Sequence, residues 1–297
     1  MNKIWAYIEC LRPMQWTKNL LVFAALVFSR NLFVGPLVVL SIEAFAIFCL
    51  LSGAVYIIND VADYERDKVH PEKSRRPIAS GRVPRSGALA LGIVCAAVAL
   101  ALASRIGGSF LTVAAVYFAL IVGYSLGLKN MVVLDVMIIS IGFVLRAIAG
   151  VEALEPHDPS VVISPWLLVC TLFLALFLGF NKRRHEIRLL AESAADHRKC
   201  LLDYSTEFLD AMIAVVTAAT VIAYAIYTIW PATVEKFNTV SLIYTVPFVL
   251  FGLFRYMYLV VVKGRGGSPS EVLLSDLPIA LDVVLWIVVA GIVLYTS

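Results

Sequence analysis

The sequence is poor in charge and lacks the patterns of several common catalytic sites. Only 15% of its 297 residues are Asp, Glu, Lys or Arg. The five cysteines are scattered without pair spacing, and the four histidines lack the spacing of zinc ligands. The sequence shows neither a P-loop nor a recognisable Ser-His-Asp arrangement. A zinc enzyme and covalent catalysis by a serine or cysteine are therefore not indicated.

Hydrophobic residues, by contrast, make up 61% of the chain, and its mean hydropathy is +0.90. This balance predicts an all-α integral membrane protein. A membrane-spanning helix needs roughly 20 apolar residues. About nine transmembrane helices are predicted, near residues 19–34, 37–58, 87–104, 109–127, 132–152, 162–180, 208–230, 240–262 and 274–296.

The basic residues fall mainly on one side of the membrane if these spans alternate in direction. The other side holds only Arg30, Arg105 and Lys236. The positive-inside rule then places the N-terminus and the large loops in the cytoplasm, in a multi-pass protein of the plasma (inner) membrane. The basic loops are short and carry no interleaved stacking aromatics, so the predicted partner is the lipid bilayer and not nucleic acid.

Residues 1–297 are predicted to form a single transmembrane domain. Residues 1–18 carry Trp5, Tyr7 and Trp16 in an amphipathic stretch typical of an interfacial lead-in helix, and no cleavable signal is evident. Cytoplasmic loops are predicted at 59–86, 128–135, 181–207 and 263–273.

The most informative segment directly follows the second predicted span. In a helix, Asn59, Asp63 and Asp67 are spaced i, i+4, i+8, and Asp60 lies three residues before Asp63. These four residues, the acidic stripe, repel one another unless a cation joins them. Mg²⁺ suits such a stripe, because it is usually held by one or two carboxylates together with waters and substrate phosphates. Basic residues follow at once: Lys68, Lys73, Arg75, Arg76, Arg82 and Arg85.

Acids and bases together predict a site for a metal ion and a phosphate, whereas a solvated helix end is the simpler alternative.

Inside the fifth predicted span, Asp135 and Arg146 are expected to face protein or water, since a charge there costs about 2.5 to 3.5 kcal/mol. An ion pair that holds helices together is the alternative for these two. Lys129, near the interface, either joins the site or snorkels.

The segment after the sixth predicted span, residues 181–186, reads NKRRHE. Glu186 is a candidate metal ligand, and its neighbours Lys182 and Arg183 are candidates for holding phosphate oxygens. Topological anchoring is the alternative, and it is favoured for Arg184 and Arg188. The full set of substrate-binding candidates is Gln15, Lys18, Asn19, Arg66, Lys73, Arg75, Arg76, Tyr124, Lys129, Asp135, Arg146, Lys182, Arg183 and Glu186.

Over its whole length the chain resembles the UbiA-type superfamily of intramembrane prenyltransferases. The span count, the stripe segment NDVADYERD and the segment YSLGLK at residues 124–129 carry this resemblance. LRPMQWTKN near the N-terminus, HPEKSRRPIASGRV at residues 70–83 and NKRRHE look like the decaprenyl-phosphate phosphoribosyltransferase branch. Ordinary members have a second aspartate-rich motif where this chain has NKRRHE. A single carboxylate among bases fits a phosphate group held directly by protein.

The resemblance implies a UbiA-type helical bundle with a cavity open to the cytoplasmic face. It also implies Mg²⁺-dependent transfer of the 5-phosphoribosyl group from phosphoribosyl pyrophosphate to a polyprenyl (decaprenyl) phosphate, with release of pyrophosphate. In the best-known members the product feeds arabinan synthesis for the cell wall. By this resemblance Asp60, Asp63 and Lys129 are catalytic, and the metal ligands are Asn59, Asp60, Asp63 and Asp67.

Two other functions are consistent with parts of the sequence. A UbiA-type enzyme that moves a prenyl group from a prenyl diphosphate to an aromatic acceptor shares the acidic stripe but should carry a second acidic motif. An organic-anion transporter would place Asp135 and Arg146 in its pathway, but transporter sites lie near the midplane, whereas most charges here gather at one face. The lipid tail length and the oligomeric state, a homo-oligomer included, stay open.

Overall fold

The computed structural model describes residues 3–70, 73–162, 164–192, 199–264, 272 and 275–296. Every regular element in these ranges is a helix, which confirms the predicted all-α class. The result follows from the composition, because a backbone inside lipid must satisfy its own hydrogen bonds and a helix does so within one segment. The helices group into two compact units, the N-terminal unit in residues 1–163 and the C-terminal unit in residues 164–297. A single domain stays a prediction.

Eight helices in the described ranges are long and apolar enough to cross a membrane. They correspond to the second to ninth predicted spans, and they confirm a multi-pass membrane protein. Their bounds are Gly35–Ala62, Arg85–Ile106, Gly108–Leu126, Leu134–Leu154, Pro165–Arg188, Thr206–Ile229, Ser241–Val261 and Leu277–Thr296.

The first predicted span, 19–34, does not form a long α-helix. Pro13–Phe23 is a 3₁₀ helix, and only the five residues Ala24–Phe28 continue it as an α-helix. The 3₁₀ segment lies very close to a later helix at Gly150, where an added Cβ would be 2.1 Å from the carbonyl oxygen of Val22. Only glycine permits such an approach. A ninth span therefore stays a prediction.

The core of the N-terminal unit is aromatic at its centre. Phe48 is fully buried, with its ring centroid 6.0 Å from that of Phe110 and 5.1 Å from that of Tyr117. Ala99 and Ala103 complete this core, since small residues let membrane helices approach closely. The α-helices of this unit are α1 (Lys3–Cys10), α2 (Ala24–Phe28), α3 (Gly35–Ala62), α4 (Tyr64–Val69), α5 (Arg85–Ile106), α6 (Gly108–Leu126) and α7 (Leu134–Leu154), and short 3₁₀ turns lie at Lys73–Arg75 and Leu128–Asn130.

Partly buried polar contacts join helices of the C-terminal unit. The Tyr224 hydroxyl lies 2.7 Å from Oγ1 of Thr245 and accepts a hydrogen bond from Nε1 of Trp286 at 2.9 Å. The predicted loop 181–207 begins within the first helix of the C-terminal unit. The predicted loop 263–273 lies mostly outside the described residues. The helices of the C-terminal unit are α8 (Pro165–Glu192), α9 (Lys199–Leu202), α10 (Thr206–Ile229), α11 (Pro231–Phe237), a 3₁₀ turn (Ser241–Thr245), α12 (Val246–Val261) and α13 (Leu277–Thr296).

Candidate active site

The acidic stripe lies where α3 gives way to α4. Helix α3 ends at Ala62, and Asp63 separates it from α4, which begins at Tyr64. Backbone hydrogen bonds from Asp63 to the carbonyl of Asn59 and from Asp67 to the carbonyl of Asp63, both 2.9 Å, carry the four-residue spacing across this junction. The stripe therefore keeps helical spacing although α3 itself is interrupted.

Asp60 and Asp67 share one arginine. Nη1 of Arg76 donates to Oδ1 of Asp60 at 3.0 Å and to Oδ2 of Asp67 at 2.5 Å. Nη2 of Arg12 donates to the same oxygen of Asp60 at 2.5 Å. Both carboxylates are only 3% exposed, so each depends on its cation partners, because an unpaired buried charge is strongly destabilising.

Asn59 and Asp63 share a lysine. Nζ of Lys129 donates to both carboxylate oxygens of Asp63, at 2.7 and 2.6 Å, and to Oδ1 of Asn59 at 3.3 Å. Lys129 is 4% exposed and is placed by the 3₁₀ turn Leu128–Asn130 between α6 and α7. It therefore points toward the stripe and does not snorkel to the membrane surface.

The stripe thus divides into two oxygen pairs, Asp60 with Asp67 and Asn59 with Asp63. In the part of the chain that the structure describes, no three His, Cys, Asp or Glu side chains converge as a metal cluster. Mg²⁺ needs only one or two carboxylates when waters and phosphates complete its octahedron. The donor chemistry of the stripe therefore fits Mg²⁺ together with a phosphorylated substrate.

Asp67 of the stripe and Lys18 of the N-terminal 3₁₀ helix have shifted protonation equilibria. Burial raises the pKa of Asp67, and the Arg76 guanidinium opposes that shift. Burial lowers the pKa of Lys18 to about 8, and repulsion from the Arg146 and Arg12 guanidinium groups adds to this effect. Lys18 precedes the first predicted span and is therefore a cation whose charge is sensitive to mildly alkaline pH.

Arg146 lies in an enclosed network and not at an open surface. It donates three hydrogen bonds of 2.7 Å, to Oδ1 of Asn19, the carbonyl of Gly142 and the hydroxyl of Tyr117. Asn19 is fully buried and also donates to Oγ of Ser52 at 3.1 Å. These neutral partners connect the 3₁₀ helix to α3, α6 and α7. The arrangement favours a role in holding the helices together over direct substrate binding by Asn19 and Arg146.

The other predicted residues of the N-terminal unit differ in exposure. Tyr124 and Asp135 are buried, at 7% and 0% exposure. Gln15 and Lys73 are partly buried, whereas the side chains of Arg66 and Arg75 are exposed. Of the basic residues after the stripe, two pair with acids elsewhere: Arg82 with Glu9 at 2.7 Å, and Arg85 with Glu65.

The structure adds two residues that the sequence did not single out as site residues. Arg12 reaches Asp60 from a left-handed backbone conformation with φ 53°, and its guanidinium lies 4.8 Å from the ring centroid of Tyr56. Val133, with φ 68°, directly precedes α7 and lies two residues before Asp135. A positive φ is strained for a β-branched residue, and such strain is concentrated at functional sites.

In the C-terminal unit, the NKRRHE segment forms part of α8. Glu186 pairs with Arg183 and lies 3.9 Å from Nζ of Lys182. The Arg183 side chain is 3% exposed, whereas that of Lys182 is 45% exposed. Asn181 is fully buried, and its Oδ1 has no hydrogen-bond partner among the described residues. Lys182, Arg183 and Glu186, the three residues predicted from the sequence, therefore form one local charge cluster on α8.

Comparison with known proteins agrees with the fold and with the motifs. A decaprenyl-phosphate phosphoribosyltransferase of Mycolicibacterium smegmatis is 32% identical, with 100% of this chain and 94% of the relative covered. One of Corynebacterium glutamicum is 34% identical, with 94% and 84% covered. The structure of a UbiA homologue from Archaeoglobus fulgidus bound to GPP and Mg²⁺ matches 98% of this chain and 100% of its own, with a TM-score of 0.72 and 19% identity.

The last comparison concerns fold alone at that identity, but the family follows from the sequence. Residues 19–270 match the UbiA prenyltransferase family. This range includes the whole acidic stripe, Lys129 and the NKRRHE segment. With the all-helical membrane fold and the relatives that match along almost the entire chain, it shows that the protein belongs to the UbiA prenyltransferase family.

Proposed function

We propose that this protein transfers the 5-phosphoribosyl group of phosphoribosyl pyrophosphate to a polyprenyl phosphate, with release of pyrophosphate and with dependence on Mg²⁺. The observation that carries this proposal is the interleaving of acids and cations at the stripe. Asp60, Asp63 and Asp67 each contact a guanidinium or ammonium group at 2.5 to 3.0 Å. Oxygens suited to a metal ion and cations suited to phosphate thus lie side by side, although Arg12 and Lys129 come from segments 48 and 66 positions away from their partners.

Mg²⁺ would be held by Asn59, Asp60, Asp63 and Asp67. When bound, it supplies Lewis acid chemistry at the pyrophosphate. The names of the relatives from M. smegmatis and C. glutamicum support the phosphoribosyl donor and the polyprenyl phosphate acceptor. A homologous structure bound to Mg²⁺ supports the metal.

The cations beside the stripe are suited to the leaving group. When the bond between ribosyl C1 and the pyrophosphate oxygen breaks, the electron pair stays with pyrophosphate and positive charge develops on the sugar. Arg12, Arg76 and Lys129 are already oriented by hydrogen bonds to the stripe, so they need little reorganisation to stabilise that negative charge. Lys129 is the group we propose to contact the pyrophosphate during the reaction.

The acceptor chemistry explains why no catalytic dyad is needed. A polyprenyl phosphate is already an anion at neutral pH, so its oxygen forms the new bond to C1 without giving up a proton. The requirement is to offset the charge of two anions. We propose Lys18 in the N-terminal unit and, separately, Lys182 and Arg183 in the C-terminal unit as cations for phosphate oxygens. The ion pair with Glu186 would hold the Arg183 guanidinium in place for a phosphate oxygen. In-line attack would invert the configuration at C1.

The sidedness of the basic residues supports a site that faces the cytoplasm. A water-soluble sugar phosphate would enter from that side while the polyprenyl tail stays in the plasma membrane. A cavity open to the cytoplasmic face is part of this proposal.

The test uses the purified protein in detergent with Mg²⁺, phosphoribosyl pyrophosphate and a polyprenyl phosphate. Pyrophosphate release and the lipid product, identified by mass spectrometry, are the two readouts. A lipid-linked ribose 5-phosphate that forms with Mg²⁺ and not with EDTA supports the proposal. Absence of that product, together with turnover of a prenyl diphosphate and an aromatic acceptor, assigns the protein to prenyl transfer instead.

A further inference from the structure

A cleft of about 900 Å³ lies at the end of α3 that is remote from the acidic stripe. It is formed within the N-terminal unit by the first turns of α3, the turn before it and the turn after α7. Its apolar wall includes Val34, Leu37, Val39 and Leu40. From Glu43, on the same wall, to Asp60 the helix rises by about 25 Å, at 1.5 Å per residue. The cleft is therefore separate from the candidate active site.

Glu43 is the unusual member of this wall. It lies inside a membrane-spanning helix, and its side chain is exposed. Its neighbours on the same face, Val39 and Ile42, are 56% and 51% exposed, as expected for a surface in contact with lipid. Glu43 makes no hydrogen bond or ion pair with any residue that the structure describes. A lone carboxylate at this depth is costly, so a ligand that supplies positive charge would be favoured beside it.

The other polar groups of the cleft differ in their freedom to bind a ligand. Asp158 is engaged within the turn, accepting from Nδ2 of Asn31 at 2.9 Å and from the backbone N–H of Ser160 at 3.0 Å. The imidazole of His157 is exposed and has no hydrogen-bond partner in the described ranges. Glu43 and His157 are thus the two groups that can receive a ligand, one a carboxylate and the other a donor through an imidazole N–H.

We propose that this cleft binds a membrane phospholipid whose headgroup carries a primary ammonium, of the phosphatidylethanolamine type. The ammonium would donate to Glu43, a phosphate oxygen would accept from His157, and an acyl chain would cover Val39 and Leu40. A quaternary ammonium cannot donate hydrogen bonds, and a purely anionic headgroup would be repelled by the carboxylate. The exposed Phe33, 87% accessible beside the cleft, indicates that its mouth meets the bilayer.

Native mass spectrometry of the full chain tests this binding. The protein in detergent is mixed with equal amounts of dioleoyl phosphatidylethanolamine, phosphatidylcholine and phosphatidylglycerol. We expect about fivefold to tenfold more bound phosphatidylethanolamine than phosphatidylcholine, as for a charge-assisted hydrogen bond. Glu43→Gln should abolish that preference. Glu155→Gln is the matched control, because Glu155 is exposed in the turn after α7 but does not line the cleft.

Two further variants keep the result decisive. Glu43→Lys should shift the preference from phosphatidylethanolamine to the anionic phosphatidylglycerol. Val39→Trp, which fills the cleft, should reduce binding of all three lipids at this site. Equal binding of phosphatidylethanolamine and phosphatidylcholine by the native chain, or an unchanged preference in Glu43→Gln, overturns the proposal. Elution of each variant as a single species in size-exclusion chromatography checks that it is folded.

Discussion

Lys129 donates hydrogen bonds to both carboxylate oxygens of Asp63, at 2.7 and 2.6 Å. The two residues lie 66 positions apart, and Lys129 is almost completely buried. This contact brings the 3₁₀ turn between α6 and α7 to the end of α3. It also orients the ammonium group before any substrate arrives, which is the condition under which a charge stabilises a transition state most effectively.

The first prediction therefore concerns Lys129. Lys129→Ala should lower kcat for lipid-linked ribose phosphate formation by about 100-fold or more, the usual effect of removing one preorganised group that stabilises developing charge. Steady-state kinetics with phosphoribosyl pyrophosphate and a polyprenyl phosphate measure this. Lys68→Ala is the control, since Lys68 is exposed and lies over the ring of Tyr64 at 4.7 Å. Equal kcat in both variants would remove Lys129 from the reaction.

A second prediction follows from the arginine shared by two buried aspartates. Arg76→Ala leaves Asp67 without its hydrogen-bonded cation and should lower the free energy of unfolding by about 2 to 3 kcal/mol. The measurement is an SDS titration of the purified protein followed by circular dichroism. Asp67→Asn combined with Arg76→Ala should recover part of this loss, because the unpaired charge is then gone. Arg75→Ala, at the exposed neighbouring position, should change stability little.

Local spacing made the stripe predictable, whereas its partners depend on the fold. The i, i+4 relations among Asn59, Asp63 and Asp67 need only helical geometry, and the backbone hydrogen bonds preserve them across the end of α3. Arg12 contacts Asp60 from 48 positions away and from a left-handed backbone conformation. Neither this long-range contact nor the left-handed backbone of Arg12 can be predicted from the residues around it.

For Arg146 the sequence predicted the environment but not the hydrogen-bond partners. Its charge inside an apolar span correctly predicted that it faces protein or water. The sequence could not show that Asn19, Tyr117 and a backbone carbonyl would surround it, because those groups come from different helices. The close approach of Val22 to Gly150 is equally non-local.

The third prediction concerns pH. Burial lowers the pKa of Lys18 to about 8, so its ammonium is charged below that pH and becomes neutral above it. If Lys18 binds a substrate phosphate, kcat/KM should fall as pH rises through about 8, since this ratio reports groups of the free enzyme. Lys18→Arg should remove that decline, because a guanidinium stays charged throughout. A decline at the same pH in Lys18→Arg would assign the titration to another group.

The last prediction tests how the N-terminal 3₁₀ helix is held. Gly150→Ala places a methyl group 2.1 Å from the carbonyl oxygen of Val22, and backbone cannot move aside as a flexible side chain does. The variant should lose about 3 kcal/mol of unfolding free energy, at the upper end of the usual effect of overpacking. Gly291→Ala is the matched control, because Gly291 is also helical and an added Cβ there meets nothing within 4 Å. That control should be neutral or slightly stabilised, since alanine is the better helix former. SDS titrations of both proteins measure the difference in unfolding free energy.

Equal stability of the two variants would show that the 3₁₀ helix can shift away from α7 without loss of stability. A normal kcat in Gly150→Ala would show that the position of this helix does not matter for the reaction.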